Sequence, residues 1–189
     1  LFGSILHAEN CFISVSNLLA KKVEFPEKKS VIFQGFSLTQ FVISDSCFID
    51  IDGGIFFLYS TRMIVRIDNS LFSNISISFI DLRAVGFFQI HGPANDVIIS
   101  NNYFFDSFNL TGSYILEITG NKRFLIKNSV FNNISAITSG ITGLIEWLGI
   151  IVENCTFTNM NLTGSVFFQK YGRGYVGFVN LTIINSNFG

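Results

Sequence analysis

Asp50 and Asp52, in the stretch DIDGG, form the best-placed acidic pair in the chain. On an extended backbone, residues i and i+2 share one face. Glycoside hydrolysis needs two carboxylates facing each other across a cleft, so this pair is the first place to look for catalysis. The surroundings favour a structural reading, in which Asp50 fills a polar column and Asp52 caps the Gly53-Gly54 turn. Lyase chemistry wants a Lys or Arg base beside an acidic calcium site, and no such grouping stands out. QIHGP supplies His91 and Gly92 without a nearby acidic pair, and His7 is the only other histidine. Both read as strand or loop residues. The nucleophile-elbow, phosphate-loop and H-E-x-x-H motifs are absent. Cys11, Cys47 and Cys155 contain no C-x-x-C pair, so a zinc site is not supported. The expectation is no catalytic residue, no metal and no cofactor.

Modification chemistry is better represented. Asn-x-Ser/Thr occurs at Asn74, Asn109, Asn133, Asn154, Asn161 and Asn180. Such sequons accept N-linked glycans on surface loops of secreted proteins. Asn109 and Asn161 occupy corresponding positions expected to be loops, which makes them the leading candidates, with Asn74, Asn133 and Asn180 behind them. Asn154 is expected to lie in an internal bend and to be a poor acceptor.

Composition narrows the classes further. At 189 residues the chain fits one domain, 1–189, with room for a substantial core. Nearly half the residues are apolar and 23 are Phe, which excludes disorder. Only 13% are charged, about half the usual share. A net charge of −1 provides no basic face for nucleic acid or an acidic membrane. The one basic cluster, KKVEFPEKK, is interrupted by Glu24 and Glu27 and reads as a solvated loop. No run of about 18 apolar residues exists to span a membrane.

These residues must be held by something, and one phrase recurs along the chain. It appears as DNSLFSNIS (68–76), KNSVFNNIS (127–135), ENCTFTNMN (153–161), SNNYFFDSF (100–108) and SDSCFIDID (44–52). A clipped copy, NSNFG, closes the sequence, and AENCFISVS is a looser copy near its start. The phrase aligns a marker column of Phe12, Phe48, Phe72, Phe104, Phe131, Phe157 and Phe188, spaced irregularly between 24 and 36 residues. A period of that length, with variable insertions, signals a solenoid.

Each coil reads as three short strands. Before each phrase stands a β-branched alternating run, such as FVISD, MIVRIDN or GIIVEN; between phrases lies a second apolar run, such as GIFFLYS or GLIEWLG. Period-two alternation of Val and Ile indicates strands, and no segment carries a helical stripe. Asp45, Asn69, Asn101, Asn128, Asn154 and Asn185 fall at the bend between two strands, where Asn tolerates a left-handed backbone. Stacked copies would hydrogen-bond amide to amide. The marker Phe three positions later forms an internal column of rings. A second polar column, Asp50, Asn74, Asp106, Asn133 and Asn159, is expected to end the third strand. If Cys11 and Cys47 stand in adjacent coils before successive marker Phe residues, they either bridge as a disulfide or stack as free thiols.

VRIDNSLFSN, LIKNSVFNN and IVENCTFTN, each followed by a Gly-apolar strand, resemble the right-handed parallel β-helix repeat proteins of the pectin-lyase-like superfamily. The Phe- and Asn-rich style is most similar to large surface or secreted β-helices of unicellular eukaryotes. The resemblance implies an all-β solenoid of about six to seven coils with three short strands each. Many members of that superfamily are polysaccharide lyases or hydrolases. The hydrolase-like combination of Asn-x-Asp, paired Asp, Gly-His-Gly and Arg-x-Lys is not found here. The expected function is therefore a non-enzymatic extracellular or cell-surface β-helix, structural or adhesive, with a carbohydrate-active or carbohydrate-binding β-helix as the alternative. LFGSILHAEN and NSNFG both read as partial repeats. The expected partners are therefore further coils of the same chain or neighbours stacked end to end, together with N-linked glycans.

Overall fold

A strand of alternating apolar and polar residues buries one face and leaves its edges unpaired, so a short strand is stable only between two others. In the computed structural model this requirement is met by coiling. The structure describes residues 4–25, 31–76, 88–92, 95–110, 116–119, 123–136, 142–145, 149–162, 168–171, 180–185 and 187–188. The first coil contributes β1 (Ser4–Glu9), β2 (Phe12–Ser16) and β3 (Leu19–Glu24), and the second β4 (Val31–Phe36), β5 (Gln40–Ser44) and β6 (Cys47–Asp52). Next come β7 (Gly54–Tyr59), β8 (Ile64–Asp68) and β9 (Leu71–Ser76), then β10 (Phe88–His91), β11 (Asp96–Ser100) and β12 (Tyr103–Leu110). They are followed by β13 (Leu116–Thr119), β14 (Arg123–Lys127) and β15 (Val130–Ala136), then β16 (Thr142–Ile145), β17 (Gly149–Glu153) and β18 (Thr156–Leu162). The last coil is β19 (Phe168–Tyr171), β20 (Asn180–Ile184) and β21 (Asn187–Phe188).

Every third strand pairs in parallel, giving three seven-stranded sheets. The first sheet holds the Gly-apolar runs, the second the β-branched runs and the third the recurring phrases. The chain is thus an all-β parallel solenoid with three strands per coil.

The core lies between the three sheets. In the third sheet Phe48, Phe72, Phe104, Phe131, Phe157 and Phe188 are aligned partner to partner. Rings 48 to 157 form one stack, with centroids 4.5 to 5.1 Å apart and planes within 11° of parallel. That spacing is the strand separation itself. Phe56 and Phe88 of the first sheet stack at 4.5 Å, and Phe88 meets the Phe72 and Phe104 rings edge-on. The second sheet closes the triangle with aliphatic rows such as Ile43, Ile67, Ile99, Ile126 and Val152, all buried. Burying each such side chain contributes roughly 1.5–3 kcal/mol.

Three expectations need correction. Phe12 is not in the ring column: it lies on the outer face of the second sheet, opposite Gln40, and is 69% exposed. The residue beneath Phe48 is Ala20, so the true first copy of the phrase is SNLLA, with Asn17 at the bend. For the same reason Cys11 and Cys47 are not neighbours. Cys11 sits between β1 and β2, Cys47 opens β6 opposite Leu19, and both are free thiols. The second polar column does not end the third strand. Asp50, Asn74, Asp106, Asn133 and Asn159 adopt φ between 50° and 56° inside their strands, and pairing resumes beyond them, as Ile51 with Ile75 and Ile134 with Met160 show.

Candidate functional site

Three polar columns run along the solenoid axis, and they absorb most of the side chains that could carry chemistry. The first follows the bend between the second and third sheets. Asn17, Asp45, Asn69, Asn101, Asn128, Asn154 and Asn185 all hold φ between 47° and 57°, a region costing most residues about 1–2 kcal/mol and Asn much less. The described side chains here are exposed. Asn69 Nδ2 donates to Asp45 Oδ1 at 2.6 Å, Asn101 to Asp68 Oδ1 at 2.8 Å, Asn128 to Asn101 Oδ1 at 3.1 Å and Asn154 to Asn128 Oδ1 at 3.2 Å. Each amide reaches into the coil before it. The bend is therefore on the outside, and Asn154, expected to be internal, is solvent-exposed.

The second column flanks it on the third sheet. Asn74 Nδ2 donates to Asp50 Oδ1, and Asn133 Nδ2 to Asp106 Oδ1, both at 2.7 Å. Asn159 bonds to Asn132 at 2.8 Å instead of Asn133, with Thr158 on the same oxygen at 3.0 Å. The acidic pair belongs here: Asp52 accepts from Ser76 Oγ at 3.1 Å. The left-handed φ of 56° at Asp50 breaks the extended geometry that would aim both carboxylates at one substrate. Each is bonded into the next coil.

The third column is buried and was not anticipated. The residue after each bend, Ser46, Ser70, Asn102, Ser129 and Cys155, points inward and is almost wholly enclosed. Ser46 Oγ accepts Leu18 N–H at 3.1 Å, Ser70 Oγ accepts Ser46 N–H at 3.2 Å, Asn102 Oδ1 accepts Ser70 N–H at 2.9 Å and Ser129 Oγ accepts Asn102 N–H at 3.2 Å. Each hydroxyl or amide then donates to the carbonyl two residues back, at 2.7–2.9 Å. Corner amides that would otherwise be buried unpaired are satisfied this way. The signal was present, since a small polar residue follows every bend except at Leu18. Burial pushes the Cys155 thiol up, partly offset by its backbone hydrogen bonds with Ser129 and Glu153.

The remaining candidates are scattered. His7 lies in β1, 3.0 Å from Glu9 and 3.3 Å from Gln34. His91 ends β10 beside Phe57, and burial lowers its pKa. Among the described residues no three His, Cys, Asp or Glu converge as a metal site would require, and no described helix is long and apolar enough to cross a membrane.

Apart from Asn154 at the bend, the sequon asparagines lie in strands, not loops. Asn74 and Asn133 are exposed within β9 and β15, and Asn161 is exposed in β18 opposite Ser135. Asn109 lies in β12 and Asn180 opens β20, while their side chains fall outside the described residues. Asn109 and Asn161 lie in strands because the phrase strand continues past its left-handed residue.

No family model, curated protein or solved structure matches the chain.

Proposed function

We propose that this chain is a non-enzymatic structural or adhesive β-helix of the cell surface or extracellular space, of the pectin-lyase-like kind and in the style of unicellular eukaryotes. The observation that carries the reading is the use of its carboxylates. Asp45, Asp50, Asp52, Asp68 and Asp106 each accept a hydrogen bond from the following coil. A catalytic acid or base must instead face a space that substrate can enter. The polar columns serve coil stacking, and the sheets offer flat faces for lateral contact. Further coils or other copies of the chain are the proposed partners.

One observation favours the carbohydrate-binding alternative. On the outer face of the third sheet the Tyr103 and Phe105 rings lie 5.9 Å apart and within 14° of parallel, and Tyr103 is 50% exposed. They share β12 with Asp106 and stand two strands along from Asp50. Flat aromatic faces beside carboxylates suit sugar rings. Incubation with a panel of polysaccharides, read for binding as well as for new reducing ends and unsaturated uronates, separates the readings. The structural reading requires neither binding nor turnover; binding lost in Tyr103→Ala would establish the carbohydrate-binding alternative, and cleavage abolished by Asp50→Asn or Asp106→Asn would establish an enzyme.

A further inference from the structure

We propose that Asn154 is an N-glycan acceptor and that its bend ladder is built to carry a sugar without breaking. This rests on the secreted reading above. Asn154 heads the sequon Asn154-Cys155-Thr156. It is exposed at the outer corner, Cys155 is turned into the core, and Thr156 opens the strand that follows.

The chemistry lies in which amide hydrogen the ladder uses. Asn128 donates from Nδ2 to Asn101 in one direction and accepts at Oδ1 from Asn154 in the other. Asn101 does the same, donating to Asp68 and accepting from Asn128. In a planar amide, an N–H and a C=O that point in opposite directions are trans to each other. The ladder therefore consumes the hydrogen trans to oxygen. Asn154 repeats the backbone of Asn128, with φ 50° against 48°, and donates to it in the same sense. Its second hydrogen, on the oxygen side, points away from Cβ and outward from the corner. Glycosylation makes the primary amide secondary, and secondary amides keep the substituent on the oxygen side and the hydrogen trans. The sugar thus takes the outward hydrogen and leaves the ladder hydrogen in place.

The test is to express the full chain behind a secretion leader in cultured animal cells and release glycans with peptide-N-glycosidase in heavy-oxygen water. Mass spectrometry then reads the resulting Asp at each sequon, in both the secreted and the retained pools. The expected result is a tag at Asn154 that Thr156→Ala removes while the Asn161 tag remains. Production in animal cells instead of bacteria should also shift the melting point equally, within roughly 2 °C, with and without Thr156→Ala. A bare Asn154 beside a tagged Asn161 would overturn the proposal and leave the secreted reading standing. A secreted chain bare at every sequon would defeat this proposal and the glycoprotein reading together. A tagged Asn154 for which that shift is a loss more than about 2 °C greater than in the Thr156→Ala chain would show that the sugar breaks the ladder, and so would also overturn it.

Discussion

The Asn of the bend column does two jobs, accepting a left-handed backbone and linking one coil to the next, and substitution can separate them. At position 128, Asn128→Gly keeps the conformational freedom but loses both ladder bonds, to Asn101 and from Asn154. Asn128→Ala loses the bonds and must also hold φ near 48° with a Cβ. Ala should therefore be less stable than Gly by about 1–2 kcal/mol, the reverse of their order in a helix. Urea denaturation of the two variants measures the difference. Equal stabilities, or a more stable Ala variant, would mean that the backbone at 128 is not left-handed. The acidic members of the columns obey the same logic. A carboxylate accepts but cannot donate, so runs of the amide ladder start at Asp45 of the bend column and at Asp68, the residue just before the Asn69 bend.

At the scale of the element, the ring column sets the stacking. Phe131 is fully buried, with Phe104 at 4.5 Å on one side and Phe157 at 4.7 Å on the other. Phe131→Ala opens a cavity between two rigid rings and should cost about 3–5 kcal/mol; a denaturation midpoint implying less than about 1 kcal/mol would place Phe131 outside the core. This column and its three-strand coil were legible in the sequence because Asn, Phe and Asn recur together at fixed offsets. The first coil was not. There Leu18 replaces the inward polar residue, Ala20 the Phe and Lys22 the left-handed Asp or Asn, so only Asn17 keeps the pattern. Cys11-Phe12 then imitated the phrase one strand too early and drew the register with it. The first two polar columns were legible as positions but not as facing. Periodicity says that residues share a column, whereas only the turn geometry says that the bend column faces solvent and the next residue faces the core.

The whole molecule inherits a direction from its ladders. The amides of Asn69, Asn101, Asn128 and Asn154 all donate toward the preceding coil, so one solenoid continues another in register with this ladder only head to tail. Contacts of that kind do not close on themselves and generate open filaments. The first-coil strands β1, β2 and β3 are edge strands of the three described sheets. Within them Leu6 is 42% and Leu19 64% exposed. In the isolated 189-residue chain, strand edges next to apolar side chains are templates for further pairing. If the recurring phrase exists to stack coils, the chain should stack on its own kind. Sedimentation velocity of the 189-residue chain, from sub-micromolar to tens of micromolar, tests this most directly. The account predicts a sedimentation coefficient that rises with concentration toward elongated oligomers or filaments. A single monomeric boundary across the whole range, from a chain that also unfolds cooperatively, would contradict it.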